Sequence, residues 1–182
     1  MNTEVIQAYL LGAIHDGTYS RSHKTFRITQ SNVEWLKFLK DCFQKVGCKA
    51  WIYKEGKART VYALETAAKF LDLGFDPDIL PSKEAQIAYI RGYFDAEGGI
   101  PRSSNHWFYI QLSQKNQKEL IKVHKILKKL GIKCGKVHIP SARVDPDYFR
   151  FFISRESHRD FATIINSSHP RKRKIFELRM KI

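Results

Sequence analysis

The sequence predicts an α+β fold: two αββαββα repeats related by pseudo-twofold symmetry, each with a four-stranded antiparallel sheet. Three observations lead there. The chain repeats itself: Ala8-Tyr9-Leu10-Leu11-Gly12 is matched by Ala88-Tyr89-Ile90-Arg91-Gly92 at an offset of 80. Phe26-Arg27-Ile28-Thr29-Gln30-Ser31-Asn32 is matched by Ile110-Gln111-Leu112-Ser113-Gln114-Lys115-Asn116 at an offset of 84, as Gly47 is by Gly131. Within each half, hydrophobic periods of helix and strand type alternate in one order. Finally, 182 residues at 43% apolar content supply a core for one domain or two small ones.

Each half opens with an apolar helix that stops at an acidic-glycine turn, Asp16-Gly17 or Glu97-Gly98-Gly99. Alternating residues then predict a hairpin containing 25–29 in the first half and 107–113 in the second. An amphipathic helix follows, 32–46 or 116–130, closed by Gly47 or Gly131 in the position beyond the cap. A second hairpin is expected, 49–54 with 58–65 and 134–140 with 147–153, and then a final helix, 66–73 or 155–166. Pro77-Asp78-Ile79-Leu80-Pro81-Ser82 marks the join between repeats 1–80 and 81–182.

Charge narrows the function. The chain carries 32 Lys and Arg against 18 Asp and Glu, a net charge of +14. Residues 1–82 hold 11 basic and 9 acidic side chains, whereas 83–182 hold 21 and 9. Phosphate chains are the natural partner of such a surface, because bound Lys and Arg release counterions. No run reaches the roughly 18 apolar residues of a membrane span, and the N-terminus lacks the basic start of an export signal. Cys42, Cys48 and Cys134 form no CxxC pair, and the seven histidines show no zinc spacing. A soluble, cytoplasmic protein with reduced thiols is expected.

The two acidic helix ends carry the chemistry. Ala8, Gly12 and Asp16 share one helix face, as do Ala88, Gly92 and Ala96, with Glu97 beside them. Small residues every fourth position let two helix backbones approach, so each helix is expected to pack on the other and bring both carboxylates together. That meeting is unfavourable twice over: a helix C-terminus is already negative, and two carboxylates repel. A hard divalent cation, coordinated by oxygen and keeping open positions for water and phosphate, relieves both penalties.

At this point Tyr89-Ile90-Arg91-Gly92-Tyr93-Phe94-Asp95-Ala96-Glu97-Gly98 resembles the LAGLIDADG motif, and Leu10-Leu11-Gly12-Ala13-Ile14-His15-Asp16-Gly17 is similar. The first copy departs by one residue: Gly12 to Asp16 is a step of four, Gly92 to Glu97 a step of five. Either the helix end tightens there or Asp16 is displaced. The family implied is the LAGLIDADG homing endonucleases, of the single-chain, two-motif kind encoded in archaeal introns. The resemblance implies a monomer whose sheets form a saddle on double-stranded DNA and which hydrolyses one phosphodiester bond per strand to leave short 3′ overhangs. It further implies that Asp16 and Glu97, with Gly17 and Ala96 next to them, hold Mg²⁺, that Mn²⁺ substitutes, and that Ca²⁺ binds without supporting cleavage. Family enzymes place a Lys and a Gln near the attacking water. The matching positions are Lys115 and the repeat mates Gln30 and Gln114. Because Ser31 is the mate of Lys115, the two half-sites are chemically unequal; alternatively, Gln114-Lys115 only begins a solvated helix.

Alternation along the strands assigns outward side chains to DNA: Thr25, Arg27 and Thr29; Trp107, Tyr109, Gln111 and Ser113; Lys136 and His138; and Arg150. Arg21, Lys24, Arg59 and Arg102 are hairpin candidates. The run Arg171-Lys172-Arg173-Lys174 docks on flanking phosphates or is a solvated helix start. The rival readings on this scaffold are an RNA-splicing maturase and a non-catalytic DNA-binding regulator, and retention of both acids favours the enzyme.

Overall fold

A computed structural model describes residues 2–56, 60–102 and 106–180. The first half contains α1 (Thr3–Ala13), β1 (Gly17–Ser20), β2 (Thr25–Gln30), α2 (Val33–Lys45), β3 (Ala50–Lys54) and β4 (Tyr62–Thr66). The second contains α3 (Lys83–Glu97), β5 (Gly98–Gly99), β6 (Gln111–Gln114), α4 (Gln117–Lys129), β7 (Phe149–Phe152), α5 (His158–Ile164) and α6 (Pro170–Met180). The first sheet has the antiparallel order β1-β2-β4-β3, the second β5-β6-β7.

Repeat mates fold by the same local rules. Asn32 and Asn116 cap α2 and α4, accepting from the backbone N–H of Glu34 at 2.8 Å and Glu119 at 3.4 Å. Gly47 and Gly131 end them at φ +74° and +83°. The amide of the following residue then reaches back, Cys48 to the Phe43 carbonyl at 2.8 Å and Ile132 to that of Leu127 at 3.0 Å. This paired closure satisfies carbonyls a helix end leaves open.

At the centre, α1 and α3 cross backbone to backbone. A Cβ added at Gly12 would lie under 3.0 Å from the Tyr89 carbonyl oxygen, and one at Gly92 would meet that of Tyr9 as closely. The reciprocity is the pseudo-twofold axis expressed in steric terms. Around this crossing one continuous core forms, with Leu10, Trp35, Phe43, Tyr89, Phe94 and Phe151 fully buried. Between the halves, Pro77–Ile79 makes a short 3₁₀ turn, and Ser82 caps α3 while its hydroxyl donates to Glu4 on α1 at 3.0 Å.

Two expectations need correction. Residues 66–73 form no helix: β4 runs through Thr66, and Asp72 already turns the chain by accepting from the Gly74 amide at 2.8 Å. The interval is too short to nucleate a helix. The second sheet has three strands rather than four. Residues 134–140 keep only isolated bridges, Cys134 to Ile153 and His138 to Arg150. Four residues advance on one side against three on the other, so an extra residue bulges and breaks the ladder.

Candidate active site

Each motif passes from helix into strand without a loop. Gly17 caps the 3₁₀ turn Ile14–Asp16 and pairs with Ile28 on β2, while Gly98 caps α3 and pairs with Leu112 on β6. Asp16 and Glu97 are therefore held where the crossing helices reach the two sheets. The one-residue difference between motifs is absorbed by the 3₁₀ turn. One α step of about 1.5 Å and three 3₁₀ steps of about 2.0 Å advance the chain roughly 7.5 Å from Gly12 to Asp16. Five α steps from Gly92 to Glu97 give the same roughly 7.5 Å, leaving only a rotation of about 40° between the two ends. The helix end tightens, and Asp16 keeps its height.

Both acids stand half-buried at the ends of the crossing helices. Burial, and then the charge of Asp16, push the Glu97 carboxyl up to about 7. Burial also raises Asp16, opposed by a hydrogen bond from the Gln30 amide and by the charge of Lys172. Among the described residues no third His, Cys, Asp or Glu joins them in a metal-binding cluster. Two oxygen-bearing carboxylates, each held above its ordinary range chiefly by burial, fit a hard divalent cation that leaves coordination positions for water and phosphate.

The predicted glutamines and lysine divide. Gln30 ends β2 on the inward row and bonds Asp16. Its mate Gln114 instead accepts from the backbone N–H of Lys115 at 2.7 Å, and Lys115 is exposed ahead of α4. The lysine tied to the tip of α3 is Lys172 on α6, which the sequence reading left among phosphate-docking or solvated residues. It is 3% exposed, donates to the carbonyls of Phe94 at 2.6 Å and Asp95 at 2.9 Å, and lies 4.9 Å from the Phe94 ring centroid. Burial pushes its ammonium down to about 8, while Asp95, Asp16 and Glu97 pull it up. A signal was present: Phe176 lies one helical turn on, and the pair defines an inward face.

The proposed DNA-reading residues also separate. Arg21, Lys24, Thr29, Arg102, Tyr109, Lys136 and His138 are exposed, Trp107 is 90% exposed, and Gln111 and Arg150 are half-buried. Thr25 and Ser113 are buried, against expectation: Thr25 opens β2 within the hairpin, and the Ser113 hydroxyl donates to the Glu97 carbonyl at 3.4 Å. Arg27 is engaged by Glu55 at 2.8 Å and Glu65 at 3.6 Å. Arg59 lies outside the described residues.

Comparisons with known proteins agree with this geometry. A family model described as a LAGLIDADG-like domain matches residues 84–166. Homing endonuclease I-ApeI of Aeropyrum pernix is 25% identical, the alignment covering 91% of this chain and 83% of the relative. A variant of I-DmoI, solved on its nicked target DNA in the presence of manganese, is 25% identical with a TM-score of 0.68, covering 92% of this chain and 99% of that one. The N-terminal LAGLIDADG domain of WhiA, at 15% identity, a TM-score of 0.69 and coverage of 91% and 82%, shares the fold.

Proposed function

We propose that the chain is a single-chain, two-motif LAGLIDADG protein acting as a site-specific, divalent-metal-dependent endonuclease that cuts both strands of duplex DNA, leaving short 3′ overhangs; the family match over residues 84–166 and the likeness to I-ApeI and I-DmoI support the reading. One observation carries the reading: two half-buried carboxylates, one per repeat, stand at the ends of the crossing helices, where Gly17 and Gly98 lead each directly into its sheet. Asp16 and Glu97, flanked by Gly17 and Ala96, would hold the metal. A bound ion would acidify water and neutralise charge on the phosphate. Gln30 orients Asp16 through its amide, and Lys172 fixes the end of the helix that carries Glu97. Magnesium is the proposed ion, with manganese able to replace it and calcium binding without cleavage; I-DmoI has been solved on DNA with manganese and with calcium, and a variant of it on DNA in the presence of magnesium.

The exposed Lys, Arg and aromatic side chains of the sheets, Trp107, Tyr109 and Lys136 among them, supply phosphate and groove contacts. Both acids belong to one polypeptide, so repeats 1–80 and 81–182 form a complete site as a monomer. The net charge of +14 supports a nucleic-acid substrate, and the proposed place of action is the cytoplasm. The test is selection of cleaved sites from a random duplex library with Mg²⁺, against a Ca²⁺ control. Enrichment of one long, semi-symmetric site with Mg²⁺ alone is the expected result. No enrichment with either ion rejects the nuclease reading.

A further inference from the structure

The segment 165–172, beyond most of the LAGLIDADG-like domain, is fastened to the last two turns of α3. Arg91 donates to the Ile165 carbonyl, the Ser167 hydroxyl bonds Asp95, and the Ser168 amide donates to the same carboxylate at 2.9 Å. Lys172 completes the fastening through the Phe94 and Asp95 carbonyls. These carbonyls lie at the negative end of the helix, where a cation is favoured. Two residues further on stands Glu97. Lys172 is also the one cation among the described residues whose charge acts on both Asp16 and Glu97.

We infer that Lys172 is a positioning residue for the cleavage site: its buried ammonium ties down the tip of α3 and offsets the repulsion of the meeting carboxylates, holding Glu97 ready for metal. The inference rests on the nuclease reading above. Among the described residues the first half has no matching tie. The residue at the position of Asp95 is His15, which faces Glu119 on α4 at 2.8 Å, and the α1 tip is shaped by its 3₁₀ turn instead. Lys172 therefore acts on one repeat more than on the other, and its loss should slow the two strand cuts unequally.

Lys172→Met keeps length and packing on Phe94 while removing the charge and both donors. Three readouts apply: backbone amide exchange, a Mn²⁺ titration of the protein on its target DNA followed by the EPR signal of free Mn²⁺, and the two nicking rates on a supercoiled target plasmid. The expected result is faster exchange at Glu97 and Gly98 with α4 unchanged. The Mn²⁺ half-saturation should rise by about 10- to 100-fold, as for other groups that orient metal ligands, and the nicking-rate ratio should change. If the Met variant does not fold, Lys172→Gln, which keeps a neutral donor, gives the same readouts. Unchanged exchange at α3 overturns the inference. So does a general loss of stability with an unaltered Mn²⁺ midpoint and nicking ratio, since that is structural support only. Wild-type protein that neither takes up Mn²⁺ on any DNA nor cuts overturns the nuclease reading itself, and the positioning role falls with it; the exchange result still reports on the tie.

Discussion

The two halves cross by the same backbone geometry and different chemistry. In each, the tyrosine three residues before the motif glycine reaches over the axis to the residue three places after the other glycine. Tyr9 donates to Asp95 at 2.7 Å, and Tyr89 lies 3.1 Å from His15 Nε2. Beyond that pair the networks diverge. Tyr9 also accepts from Trp35 Nε1 at 3.0 Å, and Asp95 is held by Ser167 and Ser168, so the second tip is locked by the C-terminal segment. His15 pairs with Glu119, so the first tip is locked by α4. The exposed faces differ as well. Arg27 on the first sheet is engaged by Glu55 and Glu65, whereas Arg150 on the second lies over Phe152 beside His138. The glycine contacts that set the axis are kept in both halves, while the side chains around them have been free to diverge. The proposed function asks only that both carboxylates arrive.

The comparison breaks most sharply at those carboxylates. Glu97→Gln removes a proposed metal ligand and should lower cleavage by on the order of 1,000-fold or more while DNA binding persists. Asp16→Asn should do the same if the two tips share the work. Plasmid cleavage assays in Mg²⁺ check both, and an Asp16→Asn protein that still linearises DNA at the parental rate would assign catalysis to Glu97 alone. Next in size is the crossing itself. Gly12→Ala and Gly92→Ala each push a methyl group into the opposing helix's backbone, which cannot yield as a flexible side chain does. Each should destabilise by about 3 kcal/mol, the upper end for overpacking. Chemical denaturation should give near-equal losses, and a clear inequality would show that the axis is not a steric one.

What was legible in the sequence follows from where the constraints are local. Asn32 and Asn116, Gly47 and Gly131, and the Gly12 and Gly92 stripes announce helix starts, helix stops and a crossing, because each acts within a few residues or repeats in register. The 3₁₀ turn at Asp16 was visible only as a missing residue; its meaning required knowing that a tighter helix rises faster. Lys172 was hidden because a Lys within a basic run is ordinarily solvated. Its burial depends on carbonyls 77 and 78 residues earlier in the chain. Thr25 and Ser113 misled for a related reason: alternation tells which face a strand residue takes but not what covers it, and Ser113 lies against the end of α3 while Thr25 is buried where β2 leaves the hairpin turn.

A smaller effect separates the two tyrosines. Tyr9→Phe leaves the buried Trp35 Nε1 without its acceptor and takes one donor from Asp95, a loss of about 1–3 kcal/mol. Tyr89→Phe leaves His15 its contact with Glu119 and should cost about 0.5–1.5 kcal/mol. Denaturant midpoints measured side by side should rank Tyr9→Phe below Tyr89→Phe; the reverse order would mean that the His15 side of the axis holds the halves together.

The finest distinction is in pH. Burial and the neighbouring Asp16 charge lift the Glu97 carboxyl to about 7, above the ordinary value of 4.5. Between those values the folded metal-free protein binds more protons than the unfolded chain, so this group's contribution to stability is greatest at low pH and declines as pH rises through that window. Glu97→Gln mimics the protonated form and removes the decline. Thermal melts without metal should therefore show Glu97→Gln more stable than the parent at pH 8 and nearly equal to it at pH 5. Adding Mg²⁺ at pH 8 should stabilise the parent and not the variant, since an ion favours the ionised carboxylate that burial opposes. A parent whose stability relative to Glu97→Gln is flat across pH 5–8 would mean that the second tip carries no electrostatic load, and that the inequality of the halves lies in hydrogen bonding alone.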